Sequence, residues 1–147
     1  MATTPIPREF REFLKLLVAH DSRFLIIGGY AVNAFGYVRS TGDIDIWIAG
    51  DAENQARVIR AIREFGFIGT PDHILEEPKA LARMGVPPLR IEVLKSISGV
   101  AFEDCWSRRV ALEVGDFTVP MISLADLKAN KKASGRAKDL ADLEELP

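Results

Sequence analysis

The stretch GGYAVNAFGYVRSTGDIDIWI, residues 28–48, decides the reading of this chain. Just ahead of it, Arg23 to Ile27 reads as a short buried strand that runs straight into Gly28-Gly29. Tyr30 to Phe35 then reads as a helix opening from the glycine pair, and Ile44 to Ile48 as a second strand. Strand residues two apart share a face, so Asp43 and Asp45 point the same way with Cα atoms about 6.6 Å apart. Two carboxylates so placed repel each other unless a cation sits between them. Mg²⁺ suits such oxygen donors and usually takes one or two carboxylates plus substrate phosphates. An exposed strand face carries Asp-x-Asp without any ligand, and that plainer alternative stays open. Against it, Asp is disfavoured in strands, and this pair is embedded in isoleucines and followed by Trp47. Gly28-Gly29 lets the backbone approach a phosphate closely, with free N–H groups at a helix start. A tight strand-to-helix turn uses the same two residues.

Outward from this stretch, Arg8 to Ala19 reads as a helix. Phe10, Phe13, Leu14, Leu17 and Val18 fall on one face. Asp51 is placed to cap a helix from Ala52 to Phe65 that turns Val58, Ile59, Ile62 and Phe65 inward. Residues 66–88, rich in Gly and Pro, are expected as loop with one short helix near Lys79 to Met84. Leu89 to Leu94 reads as a third strand, and residues 109–119 as a hairpin turning at Gly115-Asp116. Ser-Leu-Ala-Asp from Ser123 is a capping box opening a last helical region, which Gly135 breaks in two. Interleaved strands and helices predict an α+β fold, a small mixed sheet with helices packed on it, in one domain of residues 1–147 whose residues 120–147 form a helical tail.

Two further groups carry chemistry. Glu92 lies in Arg90-Ile91-Glu92-Val93-Leu94. If that strand pairs beside Ile44–Ile48, Glu92 faces the same site as Asp43 and Asp45, and three acids could hold two cations, or one cation and a general base. A local pair with Arg90 is the alternative. Lys128, Lys131, Lys132, Arg136 and Lys138 crowd one stretch with no acid among them. On a helix, Lys128, Lys131 and Lys132 share a face that could meet a triphosphate. Asp139 and Asp142 follow at once, so Arg136 or Lys138 could pair with them instead. Arg39, before Thr41-Gly42-Asp43, is a phosphate contact or a structural partner of the carboxylates.

Composition narrows the classes. The 147 residues carry 19 Lys and Arg against 21 Asp and Glu, a net charge of -2, so nucleic-acid contact would need a local basic patch. A single cysteine, Cys105, excludes an internal disulfide, and His20 and His73 share no ligand motif. The stretch from Phe24 to Val38 is too short and too broken to span a membrane. The N-terminal stretch MATTPIPREFREF has no secretory pattern. A soluble cytoplasmic protein is expected.

A glycine pair, thirteen intervening residues, Asp-Ile-Asp and a later acid on a strand together resemble the nucleotidyltransferase fold of the DNA polymerase β superfamily. The stretch VPMISLADLKANKKASGRAKDLADLEEL, residues 119–146, is similar to the tail of small bacterial members, including stand-alone and abortive-infection-type proteins. The resemblance implies that Gly28 and Gly29 hold nucleotide phosphates. It makes Asp43, Asp45 and Glu92 the catalytic, Mg²⁺- or Mn²⁺-binding acids, and Arg39, Thr41, Lys131 and Arg136 nucleotide contacts. Two departures stand out: Glu92 replaces the usual Asp, and Tyr30 follows Gly29, where it cannot reproduce the hydroxyl of members that use Gly-Ser. The implied reaction moves an NMP from an NTP such as ATP to a hydroxyl of a protein, a tRNA or a small molecule. The alternative is a non-catalytic nucleotide-binding or toxin–antitoxin module that binds a partner protein. A dinucleotide-binding unit fits less well, because Gly-x-Gly-x-x-Gly spacing is missing.

Overall fold

The computed structural model describes residues 5–39 and 41–147. Residues 1–4, the beginning of the stretch read as lacking a secretory pattern, lie outside the described residues, as does residue 40. In chain order the elements are α1 (Arg8–Ala19), β1 (Phe24–Ile27), α2 (Gly28–Ala34), β2 (Ile44–Ile48), α3 (Ala52–Glu64), β3 (Leu81–Met84), β4 (Ile91–Leu94), α4 (Phe102–Ser107), β5 (Val110–Val114), β6 (Phe117–Met121), α5 (Leu124–Ser134) and α6 (Ala137–Glu145). The sheet runs β3-β4-β2-β1-β6-β5. The β2–β4 and β1–β6 pairs are parallel and the others antiparallel, which makes the sheet mixed.

One face of the sheet is wholly apolar. Ile44, Ile46 and Ile48 are fully buried in a core shared with Phe13, Leu14 and Leu17 of α1 and Val58 and Ile62 of α3. Burial of each such side chain contributes about 1.5–3 kcal/mol. The helix spacing read from α1 and α3 therefore reflects the packing that holds them. Asp51 caps α3 as expected, accepting from the Asn54 N–H at 3.0 Å. The buried Asn54 then ties α3 to the sheet: its amide donates to the carbonyls of Arg23 and Ala49, and its oxygen accepts from the Arg23 N–H. At the other end of the chain, Gly135 closes α5 at φ +66°, a conformation that disfavours any residue with a side chain.

Three local expectations are corrected. The short helix expected near Lys79 to Met84 is instead a strand, β3, paired antiparallel with β4. Its burial alternates residue by residue, and over four positions a period of two is hard to separate from a helical one. The helix α2 starts at Gly28 rather than Tyr30, so the glycine pair is its first turn. The short helix α4 was not foreseen: it is one and a half turns long, too brief for a periodic signal. The capping box is formed in part. Ser123 Oγ accepts from the Asp126 N–H, while the Asp126 carboxylate takes two bonds of 3.0 Å from Arg108.

Candidate active site

Strand register assembles the site. Ile27 pairs with Asp45, Asp45 with Glu92, and Glu92 with Arg83. Directly paired residues project from the same face, so these four form a row across β1, β2, β4 and β3. Asp43 and Arg90 stand one step along, each just before its strand, joined by a backbone bond from the Ile44 N–H to the Arg90 carbonyl. The sequence expectation that Glu92 would share a face with the Asp pair is met.

The glycine pair is required by what stands over it. A Cβ on Gly28 would lie 2.3 Å from Asp45 Oδ2, and one on Gly29 would lie 2.4 Å from Thr41 Oγ1. Gly28 also holds φ +67°. A side chain at either position would displace the Asp45 carboxylate or the Thr41 hydroxyl, and at Gly28 it would also be strained by the positive φ.

Asp45 and Glu92 open into a cavity of about 380 Å³, whose lining also includes Gly28, Gly29, Lys131, Arg136 and Lys138. That volume lies within the range of small-molecule sites. Burial, joined by the charges of Glu92 and Asp43 and only partly opposed by Lys138 and Lys131, pushes the Asp45 carboxyl up to about 6. At Asp45 the neighbouring acids outweigh the neighbouring lysines.

The remaining acids are differently placed. Asp43 Oδ2 accepts from Arg90 Nη2 at 2.7 Å and Nε at 3.2 Å, and Arg90 Nη2 lies 3.3 Å from Glu92 Oε1. The open alternative for Glu92, a local pair with Arg90, is therefore also realised. Arg83 Nε stands 3.5 Å from the same Glu92 oxygen.

Across the cavity, α5 and α6 carry a buried ion network. Lys131 Nζ lies 3.1 Å from Asp139 and 3.0 Å from Asp142. Arg39 grips Asp142 through two bonds of 2.9 Å, and Arg136 bonds Asp139 at 2.8 Å. Burial alone would raise the Asp139 carboxyl, but hydrogen bonds from Arg136, Ser134 and Lys131 hold it well below its usual range. Asp142 is likewise held low against burial by Arg39 and Lys131.

Of the residues singled out in the sequence, Gly28, Gly29, Asp45, Glu92, Lys131 and Arg136 meet at the cavity, whereas Asp43, Arg39 and Thr41 stand outside its lining. Arg39 and Lys131 are corrected in kind: both are held by buried carboxylates of α6, Lys131 with 6% of its side chain exposed. Arg39 partners Asp142. The shared lysine face is corrected too, for Lys131 is buried while Lys132 is exposed and Lys128 bonds the Pro147 carbonyl. Sequence reading placed Lys138 in the basic cluster without assigning it a role. It lines the cavity, is exposed, and has no ion pair among the described residues. Ser96 and Ser98, which also line the cavity, were missed. Their signal was a Ser-Ile-Ser-Gly run that follows Lys95 just past β4.

Among the described residues, no three His, Cys, Asp or Glu side chains form a ready metal cage. The paired carboxylates of Asp45 and Glu92 nevertheless fit one Mg²⁺, which commonly rests on two carboxylates and completes its shell with phosphate and water. Their surplus of negative charge is what such an ion would neutralise.

No protein-family model and no curated protein sequence matches this chain. Its fold is similar to a solved structure from Thermotoga maritima described as "a putative nucleotidyltransferase", with a TM-score of 0.65 and 14% identity over 97% of this chain and 94% of that one. No helix among the described residues is long and apolar enough to cross a membrane. The mixed α+β architecture, with its six-stranded sheet, is a nucleotidyltransferase fold.

Proposed function

We propose that the protein is a metal-dependent nucleotidyltransferase related to the small bacterial members of the DNA polymerase β superfamily, folded as one domain of residues 1–147 with a helical tail from residue 120. The observation that carries this reading is the Asp45–Glu92 pair. It sits in direct register on neighbouring strands, opens into a cavity floored by Gly28-Gly29, and faces Lys138. The fold of the Thermotoga maritima protein supports it.

Asp45 and Glu92 would hold Mg²⁺ or Mn²⁺, which when bound offsets charge on the attacking and leaving oxygens. Lys138 draws the triphosphate of an NTP such as ATP into the cavity, and Arg136 adds a second cation at its edge. Gly28 and Gly29 let phosphate oxygens approach the backbone. An acceptor hydroxyl attacks the α-phosphorus: a new P–O bond forms, the bond to the bridging oxygen breaks, and pyrophosphate departs with its electron pair. Glu92 Oε2, which has no hydrogen bond among the described residues, positions the hydroxyl and accepts its proton. Among acceptors, a protein side chain, a tRNA end and a small molecule share the required hydroxyl. The setting we propose is cytoplasmic, where NTP and Mg²⁺ are abundant.

The test is transfer of label. The protein is incubated with Mg²⁺ or Mn²⁺, each α-labelled NTP and a cell extract. Label on protein, RNA or a small molecule is expected with wild type and lost in D45A, while E92Q loses transfer but keeps nucleotide binding. Transfer that survives both substitutions overturns the assignment. One observation favours a second reading: Arg90 already grips Asp43, an arrangement that would suit a toxin–antitoxin or other binding module without turnover. That reading expects nucleotide binding with no pyrophosphate release in any extract.

A further inference from the structure

We infer that Arg90 permanently fills the place of a second cation, so that this site takes one divalent ion, on Asp45 and Glu92, and Asp43 is no metal ligand. The inference rests on the metal-dependent reading above and specifies how that site is built.

The four positions just before and within β2 and β4 form a small square on one face of the sheet. Three corners are acids, Asp43, Asp45 and Glu92, and the fourth is Arg90. Residues on adjacent parallel strands are only about 4.8 Å apart, so the guanidinium stands among all three carboxylates. Its Nη2 spans two of them, 2.7 Å from Asp43 Oδ2 and 3.3 Å from Glu92 Oε1. A cation bridging Asp43 and Glu92 would have to occupy that same space. An arginine cannot vacate its charge at any pH at which proteins fold, and its planar fork suits carboxylate oxygens. Arg90 is also fixed at its backbone, where its carbonyl accepts the Ile44 N–H at 3.0 Å.

Charge counts the same way. Three carboxylates against the guanidiniums of Arg90 and Arg83 leave one negative charge, which a single divalent ion more than neutralises. A second ion would put two like-charged centres beside a guanidinium, unless Arg90 were expelled from its bonds to Asp43. The cavity lining agrees, because it includes Asp45 and Glu92 but not Asp43. Asp43 then plays a different part, orienting Arg90 and, through Arg90, holding Glu92.

Mn²⁺ binding, read by loss of the free-ion electron paramagnetic resonance signal, tests this without any assay of turnover. The full chain is titrated with Mn²⁺ alone. Wild type is expected to bind one ion, and D43N to bind one with its affinity changed less than threefold. R90M retains the packing of the side-chain stem but frees Asp43, and should bind two. R90K keeps a positive charge and should bind one, and R90M combined with D43N should return to one. Two ions on wild type, or a tenfold loss of affinity in D43N, would show that Asp43 is a ligand and overturn the inference. R90M remaining at one ion overturns it equally. No binding by wild type sinks the metal reading itself, a result distinct from either of those.

Discussion

Asp45 on β2 and Asp139 on α6 line the same cavity, and both are largely withdrawn from water. Burial raises both carboxyls, yet the net results are opposite. Asp139 is met by Lys131, Arg136 and Ser134 and is held low. Asp45 meets chiefly other acids and is pushed up to about 6. A buried charge whose partners come from the chain itself is part of the fold, and a partner buried with it, as Lys131 is, is not free for a ligand. A buried charge left in surplus costs stability and marks where an external cation would be welcome. The comparison divides the polar residues of this cavity into two classes, and it can be tested from each side.

The largest effect should come from the paired side. Lys131→Met removes the cation shared by Asp139 and Asp142, whose side chains are 1% and 3% exposed. Arg136 and Arg39 remain, so the loss should fall near the lower end for a broken buried pair, about 3 kcal/mol. Urea denaturation of wild type and variant measures it directly. A loss below about 1 kcal/mol would place Lys131 with the ligand-binding residues after all, and the division above would fail.

Asp45→Asn should act in the opposite direction. A carboxyl raised in the fold contributes stability below its unfolded pKa, near 3.9, and loses it as pH climbs to about 6. A shift of about two units corresponds to roughly 2–3 kcal/mol, an upper figure for a group that retains some water. Without metal at pH 7.5, D45N should therefore be more stable than wild type by roughly 1–2 kcal/mol, while label transfer disappears. At pH 4 the two proteins should unfold alike, because Asp45 is then largely protonated. An Asn variant less stable than wild type at pH 7.5 would show that Asp45 is satisfied by the fold.

Magnesium should reproduce part of that gain in wild type. The ion binds ionised carboxylates, so its stabilisation should grow as pH rises through about 6. Thermal melts at pH 5 and pH 8, with and without Mg²⁺ at about tenfold its pH 8 dissociation constant, should differ by roughly 1 kcal/mol in the ion's effect. The Asp139 side predicts no such dependence there, since Asp139 and Asp142 are held low and stay ionised at both pH values. An Mg²⁺ effect equal at both pH values would remove Asp45 from the ion's ligands.

Much of this division was hidden in the sequence, and the reason is physical. Periodicity reports which face of an element is buried, so α1, β2 and α3 were legible nearly to the residue. The Asp45–Glu92 pair was legible once the third strand was set beside β2, because register then follows from alternation. Charge pairing is different, since it depends on contacts between distant segments. Arg39 and Asp142 are 103 residues apart, and no local pattern announces that they meet. Asp139 and Asp142 did show that the basic run has nearby acids, but not that Lys131 rather than Lys138 turns toward them. Arg90 was visible beside Glu92, yet its stronger partner, Asp43, lies just ahead of another strand. Neither β3 nor α4 gave a signal strong enough to read, each being four to six residues long.

The finest test separates two lysines seven residues apart on the chain. Lys131 is enclosed between Asp139 and Asp142, whereas Lys138 is exposed, lines the cavity and pairs with no acid among the described residues. Its charge reaches Asp45, whose carboxyl it pulls down against the neighbouring acids. Lys138→Met should therefore leave stability within about 0.5 kcal/mol of wild type, as exposed substitutions usually do. Nucleotide affinity should fall, by up to about tenfold or 1.4 kcal/mol, because one contact to the triphosphate is lost. The loss should shrink as salt rises, since an exposed charge is screened over about 10 Å at 0.1 M. Calorimetric titration of Mg-ATP into wild type and K138M at two salt concentrations measures both quantities. Equal affinity in the two proteins would mean that the triphosphate does not lie along α6, and that this lysine is an ordinary surface charge. Lost affinity with stability intact would place the ligand between Lys138 and Asp45, the two groups whose charges the fold leaves unanswered.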